Sequence, residues 1–274
     1  MNPRALAGWS AAALCITLAT NNPVYRALVL MCAINLVLAH KRSGSRLRSL
    51  LLGVCVAATT STVLTVLLSH TGTHVLVQLD ARIPAIGGRL TLEALVFGIS
   101  TGVGIAAAVL AVAPLGLVTA PHDLAAAMPR ALERTGAVIG ASLNLIPAIA
   151  RSAGEIRDAQ RMRGWTGRRV REWPDLAVPV VLTAIESSAA LAEAMEARGY
   201  GSAPRTHFAV IRWTPTDVIV AVTALVAGAA FITLRSAGLV ADWYPFPTLT
   251  SPPVNAAAVI CCILLATPSL TSRR

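Results

Sequence analysis

The sequence predicts an all-α membrane protein with about six transmembrane helices and a cytoplasmic insert of long amphipathic helices. Hydrophobic residues make up 55% of the chain and charged residues 13%, whereas soluble domains carry about 25% charge. The apolar residues are also gathered into runs of about 17–25 residues, the length that crosses the hydrocarbon core of a bilayer. These two observations exclude an ordinary soluble domain.

Six apolar runs are candidate spans, and they lie at residues 5–20, 24–39, 49–69, 91–120, 215–235 and 254–270. The short, basic segment 41–48 is expected in the cytoplasm by the positive-inside rule. The loops 70–90 and 236–253 contain few basic residues and are expected outside. Both termini, including Arg273 and Arg274, are then cytoplasmic. The chain accordingly divides into transmembrane helices at 1–120, a cytoplasmic region at 121–214 and transmembrane helices at 215–274.

The insert 121–214 is expected to be too polar to span a membrane and too apolar to be disordered. Its apolar residues recur at near-helical spacing, which predicts two amphipathic helices lying at the membrane face. The first is expected from about Gly140 to Gly164 and the second from about Asp175 to Gly199. The weakly alternating loop 70–90 is expected to form a short hairpin.

The two predicted helices of the insert end in the same way. Residues 156–165 and 191–200, at an offset of 35, share an aliphatic residue, an acid, an alanine, an Arg-Gly pair and a final aromatic residue. This pattern predicts a glycine at the C′ position of each helix, with an arginine in the last turn.

Two interpretations of this repeat are open. Each arginine could only complement the dipole of its own helix, a contribution of about 0.3–1 kcal/mol. Alternatively, the pair of helix tips meets a partner that is itself duplicated. A symmetric dimer of nucleotide-binding subunits offers two equivalent clefts, and a guanidinium fork suits a carboxylate-lined cleft.

The same residues carry a family resemblance. Ala159-Gln160-x-x-Arg163-Gly164 and Ala194-Met195-Glu196-Ala197-Arg198-Gly199-Tyr200 resemble the two Ala-Arg-Gly signatures of the transmembrane T component of energy-coupling factor (ECF) transporters, the CbiQ/EcfT family. Asn2-Pro3-Arg4, Leu90-Thr91-Leu92-Glu93 and Leu145-Ile146-Pro147 resemble further motifs of that family. Met162 stands where the family has an alanine before the first arginine.

The resemblance implies a subunit of an ABC-type importer of micronutrients, a vitamin or a transition-metal ion, in the bacterial cell (inner) membrane. The T component of such an importer links two cytoplasmic ABC-type ATPase subunits to a small membrane-embedded substrate-binding (S) subunit. The apolar faces of the long coupling helices would support the S subunit. By carry-over, the residues that couple to the ATPases are Ala159, Gln160, Met162, Arg163, Gly164, Glu196, Ala197, Arg198 and Gly199.

A function of another class is indicated by Gly98-Ile99-Ser100-Thr101-Gly102. This G-x-S-x-G pattern in a six-span protein evokes a rhomboid-like intramembrane serine protease that uses Ser100. Such an enzyme needs a histidine in a neighbouring span, yet all five histidines fall in loops or at helix ends. The other interpretation is that Gly98, Gly102 and Gly104 are small residues that let helices approach closely.

Several kinds of site are not expected. The sequence contains no P-loop, so ATP hydrolysis is assigned to a partner and the chain is expected not to be an enzyme. The five cysteines lie in apolar runs without metal-binding spacing, and neither a metal nor another cofactor is predicted. The basic patch of Arg168, Arg169 and Arg171 is expected to meet the headgroups of the lipid bilayer, and no nucleic acid.

Overall fold

A computed structural model describes residues 2–39, 44–69, 72–78, 89–119, 133–167, 170–199 and 213–268, which are almost entirely helical and confirm the all-α membrane fold class. The helices are α1 (Pro3–Ala19), α2 (Pro23–Ala39), α3 (Gly44–Leu68), α4 (Leu92–Val118), α5 (Glu133–Met162), α6 (Pro174–Ala197), α7 (Pro215–Ser236) and α8 (Ala256–Leu264). Two short strands, β1 (Val75–Gln78) and β2 (Arg89–Thr91), pair antiparallel. Part of the basic segment 41–48, Arg168, Arg169, Tyr200, Arg273 and Arg274 lie outside the described residues.

The chain divides into two compact units. The first comprises Met1–Ala120 and Arg212–Arg274, and the second comprises Pro121–Ile211. The first unit therefore contains α1 to α4, the strand pair, α7 and α8. The second contains α5 and α6, which contact each other.

Helix α1 is the centre of the first unit, where it contacts α2, α4 and α7. The side chains of Leu6, Trp9 and Ile16 have no exposed surface. The indole N–H of Trp9 donates to the carbonyl of Leu265 at 2.8 Å. Because a buried tryptophan needs a partner for this N–H, the bond fixes α1 against the end of α8.

The first turns of α1 and α7 meet at the buried carboxylate of Asp217. One carboxylate oxygen accepts from the backbone N–H of Asn2 at 2.9 Å. The other accepts from the hydroxyl of Thr214 at 2.6 Å and from its backbone N–H at 3.2 Å. Thr214 and Asp217 form the capping box of α7, and the side chain of Asn2 caps α1 by accepting from the N–H of Arg4. One carboxylate thus fixes the beginnings of two helices.

The start of α4 is held by a second buried carboxylate, that of Glu93. It accepts from the backbone N–H of Thr73 at 3.2 Å, from the Thr73 hydroxyl at 2.9 Å and from the N–H of His74 at 3.1 Å. Gly72 has φ +144°, and a Cβ there would lie 2.6 Å from a Glu93 oxygen. The strand pair that forms in the 70–90 loop, as expected, is therefore tied to the first turn of α4.

Four helical segments in the described part of the chain are long and apolar enough to cross a membrane. They are Leu47–Leu68, Leu92–Val118, Pro174–Ala197 and Pro215–Ser236. Three of them coincide with predicted spans, but Pro174–Ala197 does not. The expectation that the whole insert is too polar to span is therefore wrong for α6, which by length and composition could cross a membrane. The reason is that residues 176–185 carry no charge.

The other predicted spans form shorter helices. Helices α1 and α2 have 17 residues each, and α8, within the predicted span 254–270, has nine. At about 1.5 Å per residue, α8 rises about 14 Å, less than half of a hydrocarbon core. Pro268 lacks the N–H that a continuing helix would donate to the carbonyl of Leu264. The total of six spans stays a prediction.

Both helices of the second unit form, although α5 begins earlier than expected. It starts at Glu133 instead of about Gly140, because a glycine inside a helix costs only about 1 kcal/mol relative to alanine and does not end it. Pro147 and Pro179 lie inside α5 and α6. The predicted helix ends near 164 and 199 agree with the structure.

The glycines of α4 allow neighbouring helices to approach closely, which confirms the packing interpretation. A Cβ at Gly98 would lie 3.0 Å from the carbonyl oxygen of Thr62, and one at Gly102 would lie 2.9 Å from that of Ala58. A Cβ at Gly104 would lie 2.9 Å from the guanidinium of Arg26 on α2. These contacts are typical of small-residue interfaces between membrane helices.

Replacing Gly102 with alanine should lower the melting temperature of the detergent-solubilised protein. The new methyl group would overlap the backbone oxygen of Ala58, and overpacking of this kind costs about 1–3 kcal/mol. Gly116→Ala in the same helix is the matched control, because none of the described residues comes within 4 Å of a Cβ there. Size-exclusion chromatography after heating measures both variants. Equal melting temperatures would contradict the close contact of α3 with α4.

Candidate functional site

Helix α5 ends in a Schellman motif around Gly164. This glycine has φ +89°, the left-handed conformation that favours a residue without a Cβ. Its N–H donates to the carbonyl of Arg161 at 3.0 Å, and the N–H of Trp165 donates to the carbonyl of Gln160 at 2.9 Å. These are the two bonds that define the motif. Arg163 is therefore the last residue before the chain turns away from the helix.

Helix α6 also ends at a left-handed glycine, Gly199, which has φ +68°. Arg198 is the C-cap residue, and its N–H donates to the carbonyl of Ala194 at 3.2 Å. The N–H of Gly199 donates to the carbonyl of Glu196 at 2.9 Å. The prediction of a C′ glycine after an arginine is thus confirmed at both helix ends.

Both helix ends expose the arginine. Arg163 and Arg198 are exposed, and Met162 is 85% exposed. Within the described residues, neither guanidinium forms an ion pair or a side-chain hydrogen bond. Each therefore keeps its planar set of five N–H donors available for a partner. Of the other predicted coupling residues, Glu196 and Ala197 are exposed, and Ala159 and Gln160 are half-buried.

The last turn of α5 is bonded to the beginning of α6. The side-chain amide of Gln160 donates to the carbonyl of Asp175 at 3.0 Å. The indole N–H of Trp165 donates to the carbonyl of Glu172 at 2.8 Å. The carboxylate of Glu172 accepts from the Thr166 hydroxyl at 3.0 Å and from the Gly167 N–H at 3.2 Å. The segment that leads from the end of α5 to the beginning of α6, here called the connector, is consequently held by its own hydrogen bonds.

Sequence reasoning missed Glu172. Glu172 lies five positions after Gly167, and no recognised sequence motif has an acidic residue at that spacing. Its contacts depend on the 3-10 turn Val170–Glu172, which places its carboxylate within hydrogen-bond distance of Thr166 and Gly167.

The residues around Ser100 give the protease interpretation no support. Ser100 is buried in α4, and its hydroxyl lies 3.5 Å from the carbonyl oxygen of Asn21. His74 lies in the segment that donates to Glu93. The other histidines, His40, His70, His122 and His207, lie outside the described residues.

Comparison with protein families matches residues 1–208 to CbiQ, described as a cobalt transport protein. The match covers about three quarters of the chain and includes both helix ends. The chain belongs to the CbiQ family. Membership makes it a membrane transport component rather than an enzyme.

Individual relatives of this CbiQ-family chain carry the name "Energy-coupling factor transporter transmembrane protein EcfT". The protein of Listeria innocua is 32% identical over 133 residues, 45% of this chain and 46% of the relative. That of Bacillus subtilis is 36% identical over 102 residues, 35% of this chain and 38% of the relative. That of Thermotoga maritima is 34% identical over 91 residues, 31% and 34% respectively. The matched part of the chain spans less than half the length of these relatives, which confirm the resemblance to the T component.

Replacing Gly164 with alanine should destabilise the end of α5. The left-handed conformation costs a residue with a Cβ about 1–2 kcal/mol, although in the described part of the chain no neighbouring atom lies within 4 Å of a Cβ built there. Gly154→Ala, with equally open space inside the same helix, should instead be neutral or slightly stabilising. Hydrogen exchange of residues 159–167 distinguishes the two variants. Unchanged protection in Gly164→Ala would contradict the assigned C′ geometry.

Proposed function

We propose that this chain is the coupling subunit of an ECF-type ABC importer for a micronutrient, a vitamin or a transition-metal ion. In this proposal α5 and α6 bind two cytoplasmic ABC-type ATPase subunits and transmit their conformational change to a membrane-embedded S subunit. The observation that carries the proposal is the pair of helix ends, each with an exposed arginine followed by a left-handed glycine. Family membership and the names of the relatives support it.

The ends of α5 and α6, at Arg163-Gly164 and Arg198-Gly199, are called the first and the second tip. Their chemistry suits a groove lined by carboxylates. A guanidinium can form two parallel hydrogen bonds to one carboxylate, which fixes orientation as well as providing affinity. An ammonium group would supply the charge without this geometry. Each arginine is the last residue before the left-handed glycine that ends its helix. A displacement of its guanidinium therefore acts directly on the end of that helix.

The apolar surfaces of α5 and α6 support contact with the S subunit or with the bilayer. No described residue of α6 is buried, and Val178, Val181, Leu182 and Ile185 are each more than half exposed. Val138 and Ile146 of α5 are also more than 60% exposed. Apolar patches of this kind mark interaction or membrane surfaces.

Charge reversal at the tips tests ATPase docking. Truncation of one partner of a buried charge pair costs about 2–5 kcal/mol, so Arg163→Glu and Arg198→Glu should each weaken ATPase binding at least tenfold. Arg→Lys should be intermediate, and the double Arg→Glu variant should release both ATPases while the protein stays in the membrane. Arg157→Glu is the matched control, because Arg157 is exposed on α5 but does not lie at the tip.

The measurement is co-purification of the tagged chain with its ATPases from native membranes, quantified by mass spectrometry. The double variant retaining both ATPases at the wild-type yield would refute docking through the tips. Absence of any ATPase from the wild-type preparation would refute the importer assignment itself.

We also propose that both termini and residues 121–214 are cytoplasmic, as the distribution of basic residues predicts. In a variant without the native cysteines, a cysteine at Ser236 should react with a membrane-impermeant maleimide added to intact cells. A cysteine at Glu155 should react only after the membrane is permeabilised. Both residues are exposed in the structure, so accessibility within the protein is matched. The reverse labelling pattern would invert the topology.

A further inference from the structure

The carboxylate of Glu172 organises the segment that follows Arg163. Its Oε2 accepts from both the Thr166 hydroxyl and the Gly167 N–H, at 3.0 and 3.2 Å, while its backbone carbonyl accepts from the Trp165 indole at 2.8 Å. Three consecutive residues are thereby bonded to one. We name this set of contacts, from Trp165, Thr166 and Gly167 to Glu172, the Glu172 latch.

The shape of the latch depends on Gly167. This residue has φ +66°, and a Cβ there would lie 2.8 Å from the ring of Trp165. The indole therefore packs directly against the backbone at Gly167, which orients its N–H toward the carbonyl of Glu172. The hydrogen bond from the Gln160 side chain to the Asp175 carbonyl joins the end of α5 directly to the beginning of α6.

The latch leaves the arginine available. The carboxylate of Glu172 bonds to Thr166 and Gly167, and among the described residues it forms no ion pair with Arg163. A negative charge thus lies in the same connector as the guanidinium without neutralising it. A segment ordered before binding loses less conformational entropy when a partner docks.

We propose that Glu172 is a positioning residue that orders the first helix tip for docking of an ATPase subunit through Arg163. This inference rests on the proposed function. It assigns no equivalent role at the second tip, because the Glu172 contacts involve only the connector that follows α5. Loss of the latch therefore weakens docking through Arg163 and leaves docking through Arg198 unchanged.

A double-mutant cycle tests the assignment. The ATPase subunits that co-purify with the wild-type chain are produced separately, and their affinity is measured for variants of the full chain in lipid nanodiscs. Glu172→Ala should weaken binding about tenfold, the scale of a lost hydrogen bond to a charged group. In an Arg163→Ala background it should weaken binding less than about twofold. In an Arg198→Ala background the effect of about tenfold should persist.

Two further variants separate positioning from folding. Glu172→Gln keeps an oxygen that can accept both bonds and should stay within about threefold of wild type. Glu155→Ala removes an exposed carboxylate of α5 outside the latch and should leave affinity unchanged. Hydrogen exchange at residues 163–167 should accelerate in Glu172→Ala and not in Glu155→Ala.

The outcomes distinguish the inference from the function on which it rests. Equal losses on Glu172→Ala in both arginine backgrounds, or unchanged exchange at residues 163–167, would overturn the positioning role while docking stands. An Arg163→Ala variant that binds like wild type would refute docking at the first tip and the inference together. A loss of ATPase affinity on Glu172→Ala that occurs only when Arg163 is present supports the positioning role.

Discussion

Asp217 joins the two helices on which the first unit is built. Its carboxylate accepts the N–H of Asn2 and both donors of Thr214, so separating the first turns of α1 and α7 would leave the buried N–H of Asn2 without its acceptor. Removing one partner from such a group costs about 1–3 kcal/mol or more. Because α1 contacts α2, α4 and α7, the position of the remaining helices in this unit depends on that junction.

The same constraint recurs at other helix ends. Terminal backbone groups have no partner inside the helix, and water is scarce where they lie in or near a bilayer. Glu93 satisfies donors of the segment before α4, and the left-handed glycines let the final carbonyls of α5 and α6 find N–H partners. Among the described residues, the buried carboxylates of Glu93 and Asp217 therefore lie in the first turns of helices, where backbone donors need acceptors.

Local patterns made part of this structure predictable. The Arg-Gly repeat predicted both C′ glycines, because their geometry depends on residues adjacent in the chain. The carboxylate contacts were not predictable in this way, since Asp217 meets Asn2 across 215 residues and Glu172 reaches Gly167 only through an intervening turn. The hydropathy of α6 differs from that of the insert as a whole, because the charges of the insert lie outside residues 176–185.

The second unit has features of a part that works in a complex. Its α6 has no buried residue among those described, and burial of its exposed valine, leucine and isoleucine side chains against lipid or another subunit would be favourable. The guanidinium groups of Arg163 and Arg198 form no ion pair or side-chain hydrogen bond in the described part of the chain, whereas the connector that follows α5 is internally bonded by Glu172. Order is thus built into the connector and binding capacity is left at the tips and apolar faces. That division suits the proposed transmission of motion from the ATPases, because a loose connector would absorb a displacement that a bonded one passes on.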